Sequence, residues 1–167
     1  MKWSLTAGAI ICLALLTSCH KVDNWKYAQI QSGSPKFSSA KLSYFSADII
    51  NGIDLEFLAL DTSCHLYLQV HCHPLKEYNG NPNQVLITVK CEQSSQKFIA
   101  MRHKGGQRAL LPENAMQYII DCLQNNHPIT ISTSGYSSRI PAESFTKKYP
   151  LLQAPPRFKS PLYSPLS

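Results

Sequence analysis

Hydrophobic and polar residues alternate clearly in the middle of the chain, and the alternation predicts a series of half-buried strands. Ile53, Leu55 and Phe57 are interleaved with Asp54 and Glu56, and Asn51-Gly52 separates this run from Ile49-Ile50. Asn-Gly is a strong two-residue hairpin signal, because both central positions of a type I′ turn take positive φ. Cys64, Leu66, Leu68, Val70 and Cys72 then share one face of a strand, with His65, Tyr67, Gln69 and His71 on the other. After a turn-rich stretch over 74–83, Val85, Ile87, Val89 and Cys91 repeat the pattern, and Phe98 to Met101 continues the meander. From Pro112 to Asn125 the period changes, since Met116, Ile119, Ile120 and Leu123 fall on one helical stripe that Asn125, Asn126 and Pro128 terminate. Ile129 to Ser132 reads as the last strand, and Ala142 to Tyr149 as a short helix after Pro141. The expected fold is α+β and mostly antiparallel, a meander or sandwich of about 6–7 strands with one amphipathic helix near 112–125.

The ends of the chain have a different texture. Lys2 precedes a mostly apolar run from Leu5 to Leu16, which is closed by Thr17, Ser18 and Cys19. Twelve helical residues reach about 18 Å, well short of the ~30 Å hydrocarbon core, so the run reads as an export signal and not as a permanent span. Residues 20–40 lack a sustained apolar period and read as a flexible tether, on which Trp25 and Tyr27 either dock on the domain or lie at the headgroup level. The last eighteen residues hold five prolines and read as an extended tail. The division is a signal peptide over 1–18, a lipidated Cys with tether over 19–40, a β-rich domain over 41–149 and a proline-rich tail over 150–167. At 167 residues the chain has room for one domain, and its 16% charged residues exclude a charge-driven disordered protein.

The junction Leu16-Thr17-Ser18-Cys19 resembles the lipobox of bacterial lipoproteins. The resemblance implies that the Cys19 thiol receives a diacylglyceryl group, that a peptidase cuts before it, and that the freed amine is acylated, palmitate being a typical chain. The competing reading is an ordinary secretory signal with Cys19 merely near the cleavage site. Two or three acyl chains hold a protein durably at a membrane, whereas one does not. Because His20 follows the Cys where an Asp would signal inner-membrane retention in enteric bacteria, the outer membrane is favoured over the inner. Removal of residues 1–18 takes Lys2 with it, leaving fifteen basic against ten acidic side chains.

Cys64, Cys72, Cys91 and Cys122 then remain for disulfide formation, as expected of an exported domain. Cys64 and Cys72 are eight residues apart on one strand, roughly 26 Å, so they do not pair with each other. If the strands over 64–72 and 84–91 are antiparallel neighbours, Cys64 pairs with Cys91 and leaves Cys72 for Cys122. The alternative is four reduced core cysteines.

Candidate chemistry is sparse. His71 and His73 project to one side of a strand with His65 farther along, a weak metal-binding pattern without familiar zinc spacing. Gly135-Tyr136-Ser137-Ser138-Arg139 lacks the final glycine of a nucleophile elbow and reads as a polar loop, and Asp54 and Glu56 read as solvent-facing strand positions. No catalytic residue or cofactor is assigned. Lys97, Arg102, Lys104 and Arg108 form a candidate basic binding surface.

Small size, a Ser-rich and His-containing body and the lipobox together resemble the small envelope lipoproteins of chlamydiae. The expectation is a non-enzymatic surface lipoprotein, anchored to the membrane by its N-terminal lipid. Its candidate partners are another envelope or host protein or an acidic polysaccharide, and nucleic acid is not among them. The alternative is a lipid-anchored hydrolase or metal-binding protein using the histidine-bearing strand face.

Overall fold

The computed structural model describes residues 23–30, 39–60 and 63–153. The signal, Cys19 and the residues from 154 onward therefore lie outside the described residues. One antiparallel sheet of nine strands organises the domain: β1 (Trp25–Ile30), β2 (Ser39–Tyr44), β3 (Ile53–Leu60), β4 (Ser63–Val70), β5 (Gln84–Cys91), β6 (Ser94–Arg102), β7 (Arg108–Leu110), β8 (Ile129–Thr133) and β9 (Tyr136–Ile140). Among the described residues two helices complete it, α1 (Glu113–Gln124) and α2 (Phe145–Gln153). The α+β, mostly antiparallel expectation is met, with more strands than the alternation alone displays.

The strand order is β1-β2-β3-β4-β7-β6-β5-β8-β9. β5, β6 and β7 are consecutive antiparallel neighbours, and β7 returns beside β4 in a Greek-key path. The sheet curls until its two ends approach. Ile53 N–H donates to Ser138 Oγ at 2.8 Å, the Tyr44 hydroxyl donates to the Arg139 carbonyl at 3.3 Å, and Trp25 Nε1–H donates to the Pro141 carbonyl at 3.0 Å.

Strand registers put most of the alternating apolar residues on one inner face, where both helices pack, while Ile99 and Met101 of β6 lie exposed on the other. Leu42, Ile53, Phe57, Leu66, Leu68, Ile87, Val89 and Ile131 are buried there. α1 adds Ala115, Ile119, Ile120 and Leu123, the stripe its 3.6-residue period dictates. Pro112 stands at its N-cap with extended backbone, Glu113 lies in its first turn, and Asn126 takes a left-handed φ of 62° just past its end. Around α2, the rings of Trp25, Phe57, Phe145 and Tyr149 form one aromatic cluster, with Trp25 4.9 Å from Phe145 and 5.6 Å between Phe57 and Phe145.

Several expectations need correction. The stretch read as a tether contains β1, and Trp25 is only 1% exposed, so it docks on the domain and does not lie at a headgroup. The region read as a tail from 150 begins inside α2, which includes Pro150 and buries Leu152. β7 and β9 were not anticipated: β7 spans three residues, and β9 is the segment read as a polar loop. Two-residue turns with two positive φ values stand at Asn79-Gly80, where φ is 51° and 73°, and at Ser134-Gly135, where it is 53° and 91°, and not at Asn51-Gly52. β2 and β3 are instead joined by the longer loop 45–52.

Candidate binding surface

The sheet's outer face carries the polar residues that alternate with the core. Glu56 of β3 pairs with Lys41 of β2 at 3.0 Å and with Arg108 of β7 at 2.6 Å. Between them stands Tyr67 of β4, in register with Glu56, and the Arg108 guanidinium lies 4.1 Å from the Tyr67 ring centre. One ionic row thus crosses four adjacent strands. Burial pushes the Glu56 carboxyl up, but the hydrogen bonds and charges of Lys41 and Arg108 outweigh it and hold the group below its ordinary value. A carboxylate saturated by two cations serves as a structural anion and is poorly suited to accepting a substrate proton.

A second pair lies nearer the β2–β3 loop. His71 Nε2 is 3.0 Å from Asp54 Oδ2, while Asp54 Oδ1 accepts the Ser46 N–H at 2.8 Å. Asp54 and Glu56 are therefore not simple solvent-facing positions: both are largely withdrawn from water and partnered, Glu56 by cations of neighbouring strands and Asp54 by the His71 side chain just past the end of β4.

The candidate basic surface is divided by strand parity. Lys97 is on the outer face of β6 and exposed, as is Lys104 in the following turn. Arg102 has the opposite parity, in line with buried Phe98 and Ala100; its Nη1 donates to the Pro82 carbonyl at 3.1 Å and its Nε is buried with no hydrogen-bond partner. Arg108 is committed to Glu56. The four residues do not form one free basic patch.

The histidines are also dispersed. His65 lies in register with Leu58 near the start of β4, and His71 pairs with Asp54 beyond its end. The backbone of His73 exchanges hydrogen bonds with the Tyr136 hydroxyl. Among the described residues, no group of three or more His, Cys, Asp or Glu side chains converges to hold a metal ion.

No protein-family model, curated protein or solved structure matches this chain. The functional reading therefore rests on residues and geometry.

Cys91 and Cys122 form a disulfide, with Cα atoms 6.3 Å apart, joining the end of β5 to α1. Cys64 and Cys72 are free thiols, so the expected Cys64–Cys91 and Cys72–Cys122 pairs are corrected. Their premise was that β4 and β5 are neighbours; β7 and β6 stand between them. Cys64 borders a cleft of about 640 Å³ between the start of β4, the end of β7 and the first turn of α1, with His65, Glu113 and Met116. Burial pushes its thiol up, away from the reactive thiolate.

Sequence reasoning missed the ionic row because it depends on which strands are neighbours. The only local hint was two acidic residues on the polar side of a strand otherwise rich in apolar residues.

Proposed function

We propose that the protein is a lipid-anchored bacterial envelope lipoprotein whose β-rich domain has a non-enzymatic binding or structural role at a membrane surface. The observation that carries the reading is Leu16-Thr17-Ser18-Cys19 placed directly after the apolar run from Leu5 to Leu16. The position of β1 supports it. Trp25 is six residues beyond Cys19, so a lipid on Cys19 holds the first strand within about 20 Å. The domain is then seated close to the bilayer, not on the long tether that the sequence pattern suggests. His20 after the Cys favours the outer membrane. The self-neutralised row around Glu56 and the half-buried Cys64 thiol, pushed up by that burial, fit a structural or binding surface better than a reaction centre.

Mass spectrometry of the mature N-terminus tests the anchor. Acyl groups on Cys19 are expected, and Cys19→Ser should move the protein from the detergent phase to the aqueous phase. An unmodified mature chain starting elsewhere would remove it. The partner is another envelope or host protein or an acidic polysaccharide. Charge reversal at exposed Lys97 and Lys104 should weaken polysaccharide binding if their charge is used, with Arg108 left intact because it belongs to the ionic row.

A further inference from the structure

Loop 45–52 presents its apolar side chains outward. Phe45 is 45% exposed, Ile50 57% and Ile49 75%, the last being the most exposed large apolar residue among those described. Such exposure in adjacent residues is costly in water unless something covers them. Nor is the loop left loose, because polar groups fix its shape. Asp48 Oδ1 accepts the N–H groups of Ile50 and Asn51 at 2.9 Å each, Ser46 Oγ accepts the Asp48 N–H at 3.2 Å, and Asp54 accepts the Ser46 N–H. A Cβ at Gly52 would collide with the Asp48 carbonyl and the Ser46 side chain, so the chain closes on itself there.

The position of this loop in the fold identifies what covers it. Trp25 is in register with Tyr44, so β1 begins where β2 ends, and Phe45 N–H donates to the Asn24 carbonyl at 3.1 Å. The N-terminal end of the described residues, around Asn24, therefore lies alongside the loop. Asn24 is five residues beyond Cys19, at most about 18 Å of extended chain. Lys26 on the exposed side of β1 holds its ammonium 5.3 Å from the Phe45 ring centre, the aromatic and basic combination that suits a headgroup layer.

We propose that loop 45–52 is a membrane-docking loop, with Ile49 and Ile50 inserted at the bilayer surface beside the lipidated N-terminus. This rests on the anchor reading above and adds an orientation to it. Asp48, exposed at the base of the tip, limits insertion to the isoleucines and leaves the carboxylate at the level of water and headgroups. The outer sheet face, with Glu56 and Tyr67, then stands clear of the bilayer and open to a partner.

The test uses the full-length chain, produced with its lipid and reconstituted in phosphatidylcholine vesicles with brominated acyl chains, which quench tryptophan on contact. Native Trp25 is buried and supplies a constant background, and Trp3 departs with the signal. Ile49→Trp and, as a second tip variant, Ile50→Trp should each lose about half or more of the added emission. Leu60→Trp, at the far end of β3 and roughly 23 Å from Ile53, should lose little. All three positions are exposed, so the fold tolerates the change. If Cys19 is acylated and neither tip variant is quenched more than Leu60→Trp, the docking inference is overturned while the anchor stands, and the loop instead faces a protein. If Cys19 carries no acyl group, the anchor reading falls and the inference falls with it.

Discussion

On the inner side of β3, Ile53, Leu55 and Phe57 are at most 1% exposed, whereas on the outer side of the same strand Glu56 is paired with Lys41 and Arg108 and Asp54 with His71. The inner side gains from removal of apolar area from water, a term that needs only approximate complementarity and accumulates residue by residue. The outer side relies on matched charges in partial contact with water, where each pair contributes little and can be lost by a change in pH. Stability should therefore be concentrated inside, leaving the outer face more tolerant of substitution. Removal of an inner anchor should cost several times as much as removal of an outer ion pair.

Trp25→Ala is the most severe way to test that contrast. It removes a ring packed against Tyr44, Phe57 and Phe145 and leaves the Pro141 carbonyl without its indole donor. The expected loss is about 3–5 kcal/mol, read by denaturant or thermal unfolding. A loss below about 1 kcal/mol would mean that β1 is not part of the cooperative unit. The disulfide comes next. Cys91 and Cys122 close a loop with a sequence separation of 31, and reduction or Cys91→Ser with Cys122→Ser should cost about 3–4 kcal/mol. Peptide mapping of the unreduced protein should find this link, and a mapped Cys64–Cys91 link would contradict the strand order as well as the pairing.

Glu56→Gln tests the outer face, with an expected loss of about 1 kcal/mol at neutral pH. The pH dependence carries a sign. Folding lowers the Glu56 pKa, so its contribution is present above the ordinary glutamate value and is lost as pH falls through the lower folded value. The parent should lose stability on acidification below about pH 4, and the variant should lose less over the same range. Parallel stability curves for parent and variant would show that the Lys41–Glu56–Arg108 row does not couple to folding.

The same two faces explain what could be read in advance. β4, β5 and α1 were legible because apolar residues recur at period two or near 3.6 with few interruptions. β9 was not, since its inward residues include Ser138, whose hydroxyl satisfies the Ile53 amide across the curled sheet. β1 was missed because an edge strand with one fully buried residue has no period to show, and β7 because its three residues bury only Ala109. The cysteine pairing failed for a non-local reason, the insertion of β7 and β6 between β4 and β5. The ionic row depends on that same insertion, which is what brings Arg108 within reach of Glu56.

The two free cysteines offer the mildest test, because alkylation at the exposed one should leave stability almost unchanged. Cys64 lies in register with Ala59 on the inner parity of β4, half-buried, with its thiol pushed up by that burial; Cys72 is past the end of the strand and exposed. A raised pKa leaves a smaller thiolate fraction at any pH near neutrality, and the thiolate is the species that reacts. Iodoacetamide at mildly alkaline pH should therefore modify Cys72 faster than Cys64, by roughly tenfold when burial and ionisation act together. Mass spectrometry of timed samples would follow the two sites separately. Once urea unfolds the domain, the rates should converge, because it is burial that raises the Cys64 thiol. Equal rates in the folded protein would mean that Cys64 is not shielded by α1 and β7, and that the inner face opens at that edge.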